Sequence, residues 1–282
     1  MSERDDEGRD REGRPAPEID TSKPSIARVY DFMVGGTLNF PIDRQFGEMA
    51  LRVAPDAKTA GLASRRFLRR VVRYLTAEAG IRQFLDLGSG LPTQGNVHEI
   101  AQEIDPATRV VYVDNDPMVL AHARELLADD GTTTVIQADV RDPQAIIDDP
   151  RVRALIDFTK PVGLLLFSIL HHLHDDEDPG RVAAVFRDTL PSGSYMAISH
   201  FFNPEEEHPE AARQALMGEK VFNENLGTGR WRTREEILGY FGDLEVVEPG
   251  LVSVVSWRPD PEDSMELTLT LHTYAGAVAR KP

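Results

Sequence analysis

The stretch Gln83-Phe84-Leu85-Asp86-Leu87-Gly88-Ser89-Gly90 decides the fold class. Its apolar run ends in a carboxylate and a glycine-rich turn, a pattern typical of a buried parallel strand that leads into a helix beside a ligand. Gly88 and Gly90 permit backbone torsions and a close approach that a Cβ atom would block. The turn therefore indicates a nucleotide-like ligand, and a tight strand-to-helix turn without a ligand is the alternative.

Beyond this turn, short apolar runs alternate with amphipathic segments of helical length. This alternation predicts an α/β fold in which crossover helices join parallel strands. The predicted parallel strands cover residues 83–87, 109–113, 133–138, 162–169 and 194–199, and two further strands, 250–257 and 265–274, are predicted as an antiparallel pair at one edge. The predicted helices between them cover residues 96–103, 117–128, 143–147, 180–189 and 234–241.

The N-terminal part of the chain has a different composition. Residues 1–23 contain almost no apolar side chains, so burial could not offset the entropy lost on ordering, and we predict a disordered tail. From residue 24 to residue 80, apolar residues recur at helical spacing around breaks at Gly35-Gly36 and Pro41. We predict a helical cap over residues 24–80 and the main sheet domain over residues 81–282.

The overall charge limits the class of partner. A formal net charge of -16 disfavours a nucleic-acid substrate, because phosphate backbones would be repelled. The longest apolar run, residues 162–170, is too short to span a bilayer. Because the N-terminus is charged and the chain has no cysteine, we expect a cytoplasmic protein that binds neither nucleic acid nor membrane. No pattern in the sequence defines an oligomeric state.

Three carboxylates, Asp86, Asp114 and Asp139, lie at the ends of successive predicted strands. Because the carboxyl ends of parallel strands meet at one edge of a sheet, we expect these side chains to surround one ligand. The dinucleotide pattern G-x-G-x-x-G has Thr93 at its third glycine, and Pro92 lacks an N–H for a pyrophosphate. A phosphate-free cofactor with a cationic group, S-adenosylmethionine, suits these residues better.

Each acid has an expected contact with that cofactor. We assign the amino-acid tail to Asp86, the ribose hydroxyls to Asp114 and the adenine amino group to Asp139, whereas Asp116 is interpreted as a helix N-cap. The remaining cofactor-binding candidates lie beside these acids or after the fourth strand: Gly88, Ser89, Gly90, Asn115, Val140 and Ser168. A nicotinamide-dependent oxidoreductase and a protein that binds S-adenosylmethionine without turnover are the alternatives.

Several short sequence motifs resemble those of one bacterial S-adenosyl methyltransferase family within the class I methyltransferases. They are Ala27-Arg28-Val29-Tyr30-Asp31 with Gly35-Gly36, Gln83-Phe84-Leu85-Asp86, Leu91-Pro92-Thr93, Tyr112-Val113-Asp114-Asn115-Asp116-Pro117 and Ser199-His200. The resemblance covers nearly the whole chain after the tail. It implies a Rossmann-like, mostly parallel seven-stranded sheet with helices on both faces, S-adenosylmethionine as cofactor, and methyl transfer. The resemblance does not identify the methyl acceptor, and we expect a small molecule with an oxygen or nitrogen nucleophile.

His171 and His172 follow the fourth predicted strand, a position that borders the transferred methyl group in the methyltransferases that this chain resembles. Either histidine is a candidate base for a proton of the acceptor, and the alternative is that one packs while the other lines the pocket. We expect no metal site, because the acids at 175–178 have the pattern of a solvated helix start.

The helical cap is expected to close over the cofactor and exclude water. The candidate lid and substrate residues are Tyr30, Asp31, Gly35, Gly36, Asn39 and, just past the fifth strand, His200. For Tyr30, packing of the helix against the sheet is the alternative.

Overall fold

The computed structural model describes residues 19–92, 95–126, 131–260 and 265–282. Residues 1–18 of the predicted tail, Thr93 of the glycine-rich turn and residues 127–128 of a predicted helix lie outside these ranges.

Eight strands of the described chain form one sheet in the order β3-β2-β1-β4-β5-β8-β6, and β7 also pairs with β8. The strands are β1 Gln83–Leu87, β2 Arg109–Asp114, β3 Thr133–Gln137, β4 Gly163–Phe167, β5 Tyr195–Phe201, β6 Glu245–Val246, β7 Val252–Ser253 and β8 Tyr274–Arg280. The first five strands are parallel, whereas β8 is antiparallel to β5, β6 and β7. Asp86 is in register with Tyr112 of β2 and Leu165 of β4, which places it at the centre of the sheet.

Helices surround the sheet and form the cap. They are α1 Ile26–Met33, α2 Pro41–Val53, α3 Ala57–Ala77, α4 Val97–Gln102, α5 Pro117–Leu126, α6 Pro143–Asp148, α7 Pro150–Leu155, α8 Pro179–Thr189, α9 Pro209–Asn225 and α10 Arg234–Gly239. None of these helices has both the length and the apolar composition that a membrane span requires.

Burial on both faces explains why the parallel strands read as continuous apolar runs. Leu164 and Leu166 of β4 are buried in one core with Phe186 of α8. Leu165, between them, points to the other face and is buried with Phe67 of α3. The sheet is therefore a layer between two apolar cores, as the mostly parallel α/β prediction requires.

The C-terminal edge differs from the prediction. The predicted strand 265–274 is wrong, because β8 begins only at Tyr274 and Thr270–Thr273 form a 3-10 helix. Threonine hydroxyls take up local partners there: Thr273 donates to the Thr270 carbonyl at 2.8 Å and Thr270 donates to Asp56. Such bonds compete with a strand ladder. The predicted strand 250–257 is reduced to the two residues of β7, and this strand with β6 brings the sheet to eight strands rather than seven.

Ordered segments that were not expected from the sequence include residues 19–23, the short helix α7 and helix α9. Residues 19–23, assigned to the tail, pack against α1, where Nη2 of Arg28 donates to the carbonyls of Asp20 at 3.2 Å and Lys23 at 2.6 Å. Helix α9 was not predicted, because its apolar spacing is irregular: Leu216 and Met217 are exposed while the polar Gln214 is buried.

Candidate functional site

A cavity of about 750 Å³ lies at the carboxyl ends of the parallel strands, under α1, the first half of α3 and α9. This volume is in the range of small-molecule sites, about 300–1,000 Å³. The strand order divides its lining into two parts. We call the lining after β1, β2 and β3 the acidic half, with Asp86, Asp114 and Asp139. We call the other part the aromatic half, which comprises His171, His172, Phe201, Phe222, Trp231 and Tyr274.

The glycine-rich turn forms the floor of the acidic half. Gly88 and Gly90 have φ values of 70° and 68°, in the left-handed region that favours glycine. A Cβ atom on Gly88 would lie 2.7 Å from Cδ1 of Ile169, whereas one on Gly90 would meet no described atom within 4 Å. Ser89 also lines the cavity, and its N–H donates to the Val113 carbonyl at 3.2 Å. The turn is thus held against the end of β2 and leaves open space above Gly90.

Asp114 organises the end of β2. Its Oδ2 accepts a hydrogen bond from the Gly90 N–H at 2.8 Å, and its Oδ1 accepts one from the Asp116 N–H at 2.9 Å. Oδ1 of Asp116 accepts from the Met118 N–H at 2.8 Å, the geometry of the predicted N-cap. Asn115, between the two acids, lines the cavity.

Burial dominates the electrostatics of the acidic half. Asp86 lines the cavity, and burial raises its pKa to about 7, with a smaller opposing effect of the Arg65 guanidinium. Burial also raises the pKa of Asp114 to about 6, although backbone N–H groups donate to its carboxylate. Both shifts express the cost of holding a carboxylate away from water, a cost that a cationic or hydrogen-bonding ligand would reduce.

Asp139 differs from the other two acids because its carboxylate already has a cationic partner. Its Oδ1 accepts from Nε of Arg141 at 2.9 Å, and these hydrogen bonds lower the pKa of Asp139. Nη1 of Arg141 also donates to Glu177 at 2.7 Å. Asp139 and Val140 both line the cavity, but the Asp139 carboxylate is already bonded to Arg141.

The two candidate bases are neutral. Burial lowers the pKa of His171 well below its ordinary value and that of His172 to about 3. Nδ1 of His171 lies 3.1 Å from the Phe201 N–H, so we assign it as an acceptor with the ring proton on Nε2. His172 has no such bond: its Nδ1 is buried and has no hydrogen-bond partner among the described residues.

His200 does not reach the site. It is fully buried and is not among the described residues that line the cavity. Its Nδ1 donates to the Phe201 carbonyl at 2.6 Å, and its ring lies 5.8 Å from that of Tyr240. Successive side chains of a strand point to opposite faces, so the cavity-lining position of Phe201 directs His200 away. The predicted contact of His200 with the acceptor is wrong.

Of the predicted lid residues, Tyr30 alone lies among the described residues of the cavity wall, where its hydroxyl donates to the Gly61 carbonyl at 3.2 Å. The other four shape the turn between α1 and α2. Oδ2 of Asp31 accepts from Asn39 at 2.7 Å, and a Cβ atom on Gly36 would lie 1.9 Å from Oδ1 of Asp31. Gly35 has φ 84° in the same turn. These four residues are not among the described residues that line the cavity, so a role in the lid stays a prediction and none of them contacts the site directly.

A chain of hydroxyl groups lies where the two halves meet. Ser168, predicted to bind the cofactor, has the left-handed φ of 57° that is uncommon for a residue with a side chain. Its hydroxyl bonds to that of Tyr274, which donates to Ser64 at 3.1 Å. Sequence reasoning missed Tyr274 and Ser64, because no local pattern connects α3, β4 and β8.

Comparison with known proteins identifies the family. A family model described as S-adenosyl methyltransferase matches residues 12–282. A protein from Thermobifida fusca YX, proposed to be a methyltransferase, is 46% identical over 93% of this chain and 96% of its own, with a TM-score of 0.86. A DUF574 family protein from Streptomyces avermitilis MA-4680 is 40% identical over 94% of this chain and 100% of its own, with a TM-score of 0.88. No curated protein matches this chain.

The acidic half suits the cofactor of that family. Its buried carboxylates can pair with a cation or accept hydrogen bonds from hydroxyl groups, and there is open space above Gly90. Both features match the chemistry of a positively charged adenosyl compound. A match over almost the whole described chain, together with this agreement, shows that the chain belongs to the S-adenosyl methyltransferase family and is an S-adenosylmethionine-dependent methyltransferase.

Proposed function

We propose that this enzyme methylates an oxygen or nitrogen atom of a small-molecule acceptor that binds in the aromatic half of the cavity. One observation carries the proposal: a single cavity has a carboxylate-rich half next to an uncharged aromatic half. When bound, S-adenosylmethionine supplies an electrophilic methyl group. A small acceptor beside it would be held in a site with little water, where alignment of the reactants contributes most of the rate.

The acidic half would hold the cofactor through groups of opposite or complementary chemistry. We assign the ammonium of the amino-acid tail to Asp86, since a cation would offset the burial that raises the pKa of this carboxyl. The ribose hydroxyls are assigned to Asp114, whose carboxylate oxygens can accept further hydrogen bonds beside those from the backbone. Ser89, Asn115 and Val140 line the same part of the cavity and would contact the rest of the nucleoside.

The aromatic half would orient the acceptor rather than ionise it. Nδ1 of His171 is committed to the Phe201 N–H and Nδ1 of His172 is buried, which leaves Nε2 of His172, whose ring lines the cavity, as the candidate that accepts a hydrogen bond from the acceptor. A pKa of about 3 makes His172 a weak base in the free enzyme. Catalysis would therefore depend on positioning of the nucleophile, with Ser168 and Tyr274 at the junction of the two halves.

A radiolabel experiment tests this proposal even while the identity of the acceptor is open. The enzyme is incubated with methyl-labelled S-adenosylmethionine and either the ultrafiltrate or the macromolecular fraction of a bacterial extract. We expect label in a new small molecule with wild type and with Asp188→Asn, a change at an exposed position of α8 remote from the cavity. Asp114→Asn should lose that product. Label in protein or nucleic acid alone would contradict the proposal.

A further inference from the structure

We propose that the acceptor is an uncharged, planar aromatic molecule and that Trp231 is the residue that limits its size. This inference rests on the proposed function, because it assigns the substrate class of the same cavity. Three observations support it: the distribution of charge along the cavity wall, the orientation of the aromatic rings, and the way in which Trp231 is held.

Charge along the cavity wall is confined to one side. The charged side chains of the described lining lie in residues 19–28, at Arg65 of α3, at Asp86 and Asp114 near the ends of β1 and β2, or in the loops after β2, β3 and β4. By contrast, β5, β8, α9, residues 226–231 and the 3-10 helix Thr270–Thr273 contribute only uncharged lining side chains, among them Phe222 and Thr273. His171 and His172 are neutral in the same place. A charged acceptor would lose its hydration here and gain no ionic partner, so the site favours a neutral molecule.

Ring orientation favours an aromatic acceptor over an ammonium ion. The Phe201 ring stacks on His171 at 3.6 Å and 9°, and on Trp231 at 4.1 Å and 12°. Because His171 and Trp231 cover the two faces of the Phe201 ring, only the edge of that ring can contact a ligand in the cavity. The edge of an aromatic ring carries the positive part of its quadrupole, which attracts the face of another ring. An ammonium ion would instead require an exposed ring face, which Phe201 does not offer.

Trp231 is held in place from outside the cavity. Its backbone N–H donates to Oε2 of Glu219 at 2.8 Å. The neighbouring Arg230 binds Glu219 at 2.6 Å and Asp175 at 2.8 Å. A Cβ atom on Gly218 would lie 3.1 Å from the indole, so the glycine allows Trp231 to lie close against α9. The indole is thus packed between Phe201 and Gly218 of α9 as part of the cavity wall, where it would set how far a planar ligand can extend.

A matched set of ligands tests the charge and shape of the acceptor. Calorimetry measures binding of 2-naphthol, 2-naphthoate, 2-naphthylmethylammonium and decahydro-2-naphthol to the full-length enzyme saturated with S-adenosylhomocysteine. We expect 2-naphthol to bind about tenfold or more tightly than each of the other three, which are charged or non-planar. Tighter binding of a charged or saturated compound, or no binding of any of the four, would overturn the proposal.

The size limit is tested by substitution. Trp231→Ala should bind the three-ring compound 2-anthracenol about tenfold or more tightly than wild type, because the wall recedes. Trp257→Phe is the control, because Trp257 is fully buried and is not among the described lining residues. This change should leave the affinities for 2-naphthol and 2-anthracenol as they are in wild type. Trp231→Phe provides a milder second variant, and unchanged binding of S-adenosylhomocysteine verifies that each variant is folded. If Trp231→Ala and Trp231→Phe both bind 2-anthracenol as wild type does, Trp231 does not limit acceptor size.

The two proposals fail in different ways. A labelled small-molecule product that is charged or aliphatic would overturn the aromatic acceptor and leave the proposed function intact. Label transfer to macromolecules alone would overturn the proposed function itself.

Discussion

The Gly90 N–H donates a hydrogen bond to Oδ2 of Asp114 at 2.8 Å and so joins the turn after β1 to the end of β2. The carboxylate therefore holds the glycine-rich turn in shape, and in the proposed site it would also accept hydrogen bonds from the ribose hydroxyls of the cofactor. A change of this one side chain should therefore affect cofactor binding.

Asp114→Asn should weaken binding of S-adenosylmethionine by about 10- to 100-fold, since hydrogen bonds to a charged group contribute about 1.5–3 kcal/mol. The amide can still accept one bond from the backbone, so the fold should survive. Calorimetric titration measures the effect, and Asp188→Asn, which is exposed on α8, is the control. Equal affinity in wild type and Asp114→Asn would show that this carboxylate does not bind the cofactor.

The pH dependence of cofactor binding should follow Asp86. Its pKa is about 7 in the free enzyme, and a cationic ligand group favours the ionised form. Affinity should therefore fall as the pH drops below about 7, by up to about tenfold per pH unit. Calorimetry between about pH 5.5 and 8.5 measures this dependence, because these values lie on both sides of the Asp86 pKa of about 7. Asp86→Asn should bind weakly with a flatter profile, whereas a profile identical to wild type would exclude Asp86 as the titrating group.

Stability of the free enzyme should depend on pH in the opposite sense. The folded-state pKa of Asp86, about 7, is higher than the ordinary value of 3.8, so the folded protein binds the proton more tightly than the unfolded chain. The resulting stabilisation is complete below about pH 3.8 and is lost as the pH rises through 7. Thermal denaturation without ligand measures this effect. As the pH rises from about 5.5 to 8, the Tm of wild type should fall relative to the Tm of Asp86→Asn. A constant difference in Tm would contradict this expectation.

Gly88 and Gly90 should respond differently to alanine. Both require a positive φ, but only at Gly88 would the new methyl group collide with Ile169, at 2.7 Å. Gly88→Ala should therefore lower the free energy of unfolding by about 2–4 kcal/mol, the sum of strain and overpacking, against about 1–2 kcal/mol for Gly90→Ala. Urea denaturation measures both values. Since a methyl group on Gly90 meets no described atom within 4 Å, Gly90→Ala is the variant expected to lose cofactor affinity in excess of its loss of stability.

The buried ion pair between Arg28 and Asp43 should hold the cap closed. Nε of Arg28 lies 2.9 Å from Oδ2 of Asp43, and the two side chains are 4% and 0% exposed. Asp43 also accepts from the backbone N–H groups of Ser25 and Phe40. Asp43→Asn leaves a buried arginine without its counter-ion and should cost about 3–5 kcal/mol of stability.

A matched surface pair provides the control for this change. Arg153 and Asp148 are 51% and 54% exposed, so Asp148→Asn should change the free energy of unfolding by less than about 1 kcal/mol. Urea denaturation compares the two variants, and limited proteolysis within residues 19–25 reports whether the cap loosens. Equal stability losses would show that burial does not strengthen the Arg28 pair.

The acidic half of the cavity could be predicted from the sequence because its signals are local. Asp86 and Asp114 lie at the ends of β1 and β2, Asp139 follows β3, and the carboxyl ends of parallel strands necessarily meet at one edge. What the pattern could not reveal was which acid is already paired: Asp139 binds Arg141, whereas Asp86 faces the cavity. The strand expected at 265–274 failed for a related reason, since the Thr270 hydroxyl finds its partner in Asp56, far away in the chain.

The sequence by itself determined the fold class and brought the three acids of the acidic half together, because strand-end acids and glycine turns are read from short-range patterns. Only the tertiary structure decided the make-up of the aromatic half. His171, Phe201, Trp231 and Tyr274 come from segments distant in the chain, and their distances depend on how β5, β8 and α9 pack. Burial among these rings, not residue type, makes the histidines neutral, and burial is a property of the folded chain alone.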